Sequence, residues 1–258
     1  MKPTVYRALA RGVLLESLRR KDLWVVAILG LLILMGSSAL GFFGVHGLQV
    51  FVKDLAVTVL GSFSTIVAVV TSTRLMPEEI KQRTLYPLLS RPISRLDLII
   101  GKLLGAVLVS WLAFLILASL TTVALYGFGV TYEWVMIQYL VAKMMGLALV
   151  CALGLTLSIY MTPAAAATTT FIAAFGSSII IRGLTAGYAQ ADTASQFLFK
   201  FVNALLPQFT LFDLGGRAAN SGWGMVPLWV MGFLFGYLLL YSAGLVSLAW
   251  VKFQKKAI

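Results

Sequence analysis

The side chains that build most metal and nucleophile centres are nearly missing from this sequence. Its 258 residues hold one cysteine, Cys151, and one histidine, His46. A lone thiol forms no intrachain disulfide and no multi-thiolate metal site. A lone imidazole supports no histidine cluster and little acid–base chemistry. Charge is scarce too: Asp, Glu, Lys and Arg fill 11% of positions, against about 25% in a soluble domain. What is there is apolar, 60% of the chain. A water-soluble fold of this length cannot hide that much apolar surface, and disorder is excluded on the same ground. The composition is that of an integral membrane protein.

About 20 apolar residues are needed to cross a hydrocarbon core about 30 Å thick. Leu23–Val45 is uncharged and follows Arg19-Arg20-Lys21-Asp22. It is too long for the h-region of a signal peptide and lacks a small-x-small cleavage site, so it reads as an anchor. From Met144 to Ile181 the chain has 38 uncharged residues, about 57 Å of helix at about 1.5 Å per residue. Thr162-Pro163 lies in the middle of that stretch, and proline ends or kinks a helix there. The expected spans are 23–45, 55–75, 98–126, 136–161, 164–182 and 227–251. The expected fold is an all-α polytopic membrane protein of six transmembrane helices, a single transmembrane domain over 1–258.

Charge placement sets the orientation. Residues 1–22, 74–102 and 252–258 hold fifteen of the twenty Lys and Arg, and nearly all of the +11 net charge. The positive-inside rule places these three segments, and both termini, in the cytoplasm of a bacterial-type inner membrane. Five spans would send Lys252, Lys255 and Lys256 outside, so six are preferred. The basic excess orients the chain, and no nucleic-acid partner is expected. Residues 1–22 read as an interfacial helix, with Val5, Leu9 and Val13 on one face and Arg7 and Arg11 nearly opposite. In the external segment 183–226, Phe197, Phe201 and Leu205 recur at helical spacing, which suggests a membrane-associated loop.

One cytoplasmic loop is dense in signal. Pro77-Glu78-Glu79 reads as a helix start, since acidic side chains sit well at a helix N-terminus. Ile80, Leu85, Leu88 and Leu89 offer an apolar edge; Lys81, Arg83, Arg91 and Arg95 offer a basic one. Pro87 and Pro92 limit it to short turns. An amphipathic helix between two spans is a docking element more often than a catalytic one.

The strings Glu79-x4-Thr84-Leu85, Leu88-Leu89-Ser90-Arg91-Pro92-Ile93-Ser94-Arg95 and Gly101-Lys102 resemble the type-2 ABC transporter permeases, the ABC-2 family. The resemblance is closest to the NosY-type branch named for multi-copper enzyme maturation, and Pro87 departs from its pattern. It implies a coupling helix between spans 2 and 3, with Glu78, Glu79, Lys81, Arg83, Thr84, Leu85, Leu88, Leu89, Arg91, Pro92 and Arg95 meeting a separate ATPase subunit. It further implies a homodimer of permease chains, and export or force transmission to an external partner protein. The residues themselves agree that the motor lies elsewhere. A phosphate-binding loop needs G-x4-G-K-[ST], and Gly101-Lys102 is followed by Leu103. The chain is expected to be no enzyme, with ATP and Mg bound on the partner and no cofactor of its own.

Rival chemistry is weaker. Glu78-Glu79-x3-Arg83 also matches the signature of CAAX-type intramembrane proteases, but the histidines such a site needs are absent. A serine nucleophile at Ser177 or Ser178 would need a base. A stand-alone secondary transporter would place charges at mid-membrane, and only Lys143 hints at this. If the fourth span starts near Val135, Lys143 is about 12 Å deep and costly to bury. If it starts near Tyr139, Lys143 only snorkels to the surface, the reading preferred from sequence, with Arg182 alike at the end of the fifth span.

Overall fold

Hydrocarbon offers no water to an open peptide group, so a chain of this composition closes its backbone hydrogen bonds inside helices. A computed structural model describes residues 3–19, 28, 30, 48–81, 94–127, 133–190, 195–197, 200–201, 206–219 and 224–255, and no strand occurs among them. The helices are α1 (Pro3–Arg19), α2 (Leu48–Lys81), α3 (Arg95–Gly127), α4 (Trp134–Tyr160), α5 (Pro163–Gln190), α6 (Gly215–Ala219) and α7 (Leu228–Lys255), with a 3-10 turn at Phe209–Phe212. Five of these, α2 to α5 and α7, are long and apolar enough to cross a membrane. The expected span at 23–45 lies outside the described residues except for 28 and 30. There a side chain in place of Gly30 would meet Leu117 of α3 at 2.6 Å.

The break at Thr162-Pro163 is as expected. Met161 is extended, its N–H bonds back to the Leu157 carbonyl, and α5 starts on Pro163. Pro77 behaves otherwise. It was expected to open a new helix, but α2 runs through it to Lys81. Only the last turn lies beyond Pro77, so proline removes a single hydrogen bond there. Buried Leu75 and Met76 hold the helix against its neighbours up to that point.

Helices α2, α3 and α4 form the centre, and α1 lies along the start of α3. In their most apolar windows α2, α3 and α4 bury 50–61% of residues, whereas α5 and α7 bury 17%. Small residues set the close approaches. A Cβ at Gly105 would meet Val13 Cβ at 2.7 Å, one at Gly101 would meet Leu9 Cδ1 at 2.5 Å, and one at Gly146 would meet Phe212 Cβ at 2.9 Å. Gly154 takes Ser72 of α2 in the same way. Gly101-x3-Gly105 is thus a notch on α3 that seats Leu9 and Val13, one helical turn apart on α1. The buried face of α1 is turned to protein, while Arg7, Arg11, Leu15, Leu18 and Arg19 are exposed.

The chain has two chemically distinct ends. The basic end gathers α1, the end of α2, the starts of α3 and α5, and the end of α7. At the distal end, Lys53 pairs with Glu133 at 3.2 Å, and Gln138 exchanges two hydrogen bonds of 2.8 and 2.9 Å with the backbone of Val226. These bonds tie the starts of α2, α4 and α7.

Overpacking the notch tests its role. Gly105→Ala is expected to lose about 1–3 kcal/mol of stability, and Val13→Ala in the same chain to recover most of it, read by thermal unfolding in detergent.

Candidate functional site

At the basic end, the two ends of the 82–93 segment are clamped. Glu79, near the end of α2, forms an ion pair with Lys102 of α3, whose side chain is 7% exposed. Ser94 caps α3: its Oγ accepts from the Asp97 N–H at 3.2 Å, and its own N–H donates to Asp97 Oδ2 at 3.3 Å, a reciprocal box. Asp97 also accepts from the Tyr6 hydroxyl of α1 at 2.9 Å. That hydrogen bond, first among its causes, raises the Tyr6 phenol above its ordinary pKa. Arg95 donates to the carbonyls of Phe253 and Gln254 at 3.0 and 2.9 Å, and lies 5.9 Å from the Phe253 ring centroid. A cation on the last carbonyls of a helix is a favourable C-terminal arrangement. So α1, α2, α3 and α7 are all tied within a few residues of the ends of the 82–93 segment.

The expected docking residues divide accordingly. Glu79 and Arg95 are engaged within the chain, as just described. Glu78 is half-buried and lines a recess of about 30 Å³ with Arg74 of α2 and Glu16 and Ser17 of α1. Lys81 is exposed at the end of α2. Arg83, Thr84, Leu85, Leu88, Leu89, Arg91 and Pro92 lie outside the described residues.

In the distal half, a cavity of about 230 Å³ opens between α2, α4, α5 and the 209–216 segment. That segment is drawn in by buried Phe209 and Phe212. Tyrosines of α7 hold it: Tyr237 Oη accepts from the Gln208 N–H at 3.0 Å, and Tyr241 donates to the Leu206 carbonyl at 3.3 Å. Its charged lining residues are Lys143, Asp54 and Asp213, joined by Thr58, Ser62, Thr65, Tyr139, Ser177, Ser178 and Thr210. The Thr65 hydroxyl bonds to the Gly61 carbonyl at 2.7 Å, and Tyr139 donates to the Val57 carbonyl at 3.1 Å. Asp213 accepts from the Gly215 N–H at 3.1 Å.

Lys143 is the residue that sequence placed least well. Helix α4 starts at Trp134, so Lys143 stands about 14 Å along its axis and does not end the helix. It is half-buried in the cavity wall, and a Cβ at Gly61 would lie 3.3 Å from its Nζ. Among the described residues it makes no hydrogen bond and no ion pair, and Asp213 is the acid that acts on it electrostatically. Without a hydrogen bond to Ser62, Ser177 or Ser178, it is not poised as the base of a serine nucleophile. Arg182 is exposed. No group of three or more metal-ligating residues occurs among the described residues. Tyr139 and Gly61 escaped the sequence reading as cavity residues because nothing local marks them; they meet Asp213 only through the fold.

The chain belongs to the family described as Protein of unknown function (DUF2705), which matches residues 23–258. No curated protein matches it. The ABC-2 resemblance is therefore corrected: the family match spanning nearly the whole chain is to DUF2705, and no ABC-2 domain is found. The described letters of the motif have local causes that need no such kinship. Glu79 and Lys102 neutralise each other, Ser94 caps α3, and Gly101 makes room for Leu9.

The buried pair gives a direct test. Lys102→Met alone is expected to cost about 3–5 kcal/mol, because it removes the counter-charge of the poorly exposed Glu79 carboxylate. Adding Glu79→Gln should return most of that loss, read as the unfolding midpoint of helical circular dichroism.

Proposed function

We propose that the chain is the membrane-spanning permease subunit of an ATP-driven transporter of the ATP-binding-cassette kind, with ATP hydrolysed on a separate subunit that docks on residues 78–95. The reading rests on the chain's own residues and not on kinship with ABC-2 permeases. The observation that carries it is the clamped base of the 82–93 segment. A partner pushing on this loop would act at once on α1, α2, α3 and α7, through Glu79–Lys102, Asp97–Tyr6 and Arg95 on the end of α7. Exposed Lys81 and the basic residues that follow suit an acidic docking cleft, and the absence of a phosphate-binding loop in the sequence calls for an outside motor.

In this reading, 23–45 supplies a sixth span, both termini lie in the cytoplasm of a bacterial-type inner membrane, and α1 sits at the inner interface. The exposure of Phe197 and Phe201, 73% and 57%, supports an outer segment resting in the membrane interface. The open faces of α5 and α7 support pairing with a second copy.

A second reading, a stand-alone secondary transporter, is favoured by one observation: Lys143, without an ion pair among the described residues, lines a polar cavity within the membrane-spanning part. Purification of the tagged chain from its native membrane separates the two. The first reading expects an ATPase to co-purify, and the combined substitution of Arg83, Leu85 and Arg91 by Ala to release it, by about tenfold or more. A chain that purifies alone, with function unchanged in the triple variant, defeats it.

A further inference from the structure

The cavity beside Lys143 has the charge layout of a receptor. Its exposed rim carries two carboxylates, Asp54 and Asp213, together with Thr58 and Gly216. Half-buried Lys143 presents its ammonium farther in, with Ser62 and Ser178 beside it in the lining. Burying an ammonium in a membrane-spanning helix is expensive, and such groups normally find a partner. Lys143 has none within hydrogen-bonding or ion-pair distance among the described residues, which leaves its ammonium open to an anion that enters the cavity.

The sign pattern narrows what that anion belongs to. A plain anion must pass two carboxylates to reach Lys143, and a plain cation that passes them ends against an ammonium. A zwitterion satisfies both, with its anionic group on Lys143 and its own ammonium left at Asp54 and Asp213. Size agrees. At about 230 Å³ the space is below the roughly 300–1,000 Å³ of drug-sized pockets and suits a small molecule or a headgroup. The glycines that shape it fit the same picture. Gly61 gives Lys143 and Tyr139 room, and a Cβ at Gly215 would press on Val57 at 2.9 Å and Asp213 Oδ1 at 3.0 Å.

We infer that this cavity binds a small zwitterion, an anionic group joined to an ammonium, held by Lys143 at one end and by Asp54 and Asp213 at the other. Two sources carry this chemistry: a free amino acid, and the headgroup of an ethanolamine phospholipid. The site is independent of whether an ATPase docks at the basic end, so its failure and the failure of that docking are separate results.

The test uses the full chain in micelles of dodecyl maltoside, a detergent whose headgroup carries no charge. One arm titrates glycine, L-alanine and L-leucine by calorimetry, each beside its N-acetyl form, which keeps the anion and removes the ammonium. The other arm titrates phosphoethanolamine, and compares retention of phosphatidylethanolamine with phosphatidylglycerol by native mass spectrometry. Saturable binding is expected in one arm, weakened about tenfold or more in Lys143→Met and lost for the N-acetyl form or for phosphatidylglycerol. Asp54→Asn, on the exposed rim, keeps the inference open to refutation if Lys143→Met does not fold, and should weaken binding severalfold. Absence of binding in both arms overturns the inference, as does undiminished binding in a folded Lys143→Met or Asp54→Asn chain. Equal binding of the N-acetyl form or of phosphatidylglycerol overturns it too.

Discussion

Helices in a lipid environment have no hydrophobic force drawing them together, so their association depends on how closely their backbones can approach. Glycine at the crossing points meets that constraint throughout this chain. Gly101 and Gly105 admit Leu9 and Val13, Gly154 admits Ser72, Gly146 admits Phe212, and Gly30 faces Leu117. Each is a place where a single methyl group has nowhere to go. Around these notches, aliphatic side chains interdigitate at ordinary distances, and α2, α3 and α4 close into one packed centre. Polar cross-links are added sparingly: Thr156 to the Leu245 carbonyl at 3.1 Å, Tyr160 to the Leu248 carbonyl at 2.9 Å, and Trp111 to the Met144 carbonyl at 2.8 Å. Each uses a carbonyl with a second lone pair, and the Thr156 hydroxyl is shared with the Ala152 carbonyl of its own helix at 2.7 Å.

Charge is handled by a different rule at each level. At the two ends, buried Lys53 and Lys102 are neutralised by Glu133 and Glu79, carried on the flank of a neighbouring helix or on the turn before it. Such pairs stabilise little on balance but make separation of the two elements costly. They act as pins for geometry at the points where loops leave the bundle. Lys143 breaks the pattern, since its nearest electrostatic counterpart, Asp213, belongs to an exposed turn and forms no ion pair with it. In a chain this economical with charge, that exception is the strongest local departure from structural need.

How far the sequence could be read follows from the range over which each signal acts. The apolar runs and Pro163 are local signals, and five spans fall close to where they were expected, with the break at Met161–Thr162 in place. Helix ends were misjudged wherever pairing lets a helix carry charges beyond the apolar run. Helix α2 extends back to Leu48 past Lys53 and Asp54, and on through Pro77 to Lys81, because Glu133 and Lys102 receive its charges and Leu75 and Met76 are buried. Helix α4 likewise starts at Trp134, before the start near Tyr139 preferred from sequence, because its first turns are aromatic and polar. Gly101 and Lys102 stood out in sequence, but as letters of a motif, when their work is steric and electrostatic. The cavity was not legible, because Gly61, Lys143, Ser178 and Asp213 belong to four segments that only tertiary packing brings together.

One helix joins the two regions. Near its distal end α2 supplies Asp54, Thr58, Gly61, Ser62 and Thr65 to the cavity, and near its other end it supplies Glu79 to the clamp. Between them its hydroxyls turn back on the helix itself: Ser64 to the Leu60 carbonyl at 2.6 Å, Ser72 to Ala68 at 2.7 Å and Thr73 to Val69 at 2.7 Å. Such back-bonding commonly bends a helix, since the carbonyl is shared between the ladder and the side chain. It also lets the bend change without exposing an unsatisfied group to hydrocarbon. Where α2 crosses α4, Gly154 seats Ser72, so the two helices touch along this stretch. Under the proposed docking of an ATPase, α2 is the element through which a force on the 82–93 segment would reach the cavity. The wall it would move is the one that faces Lys143.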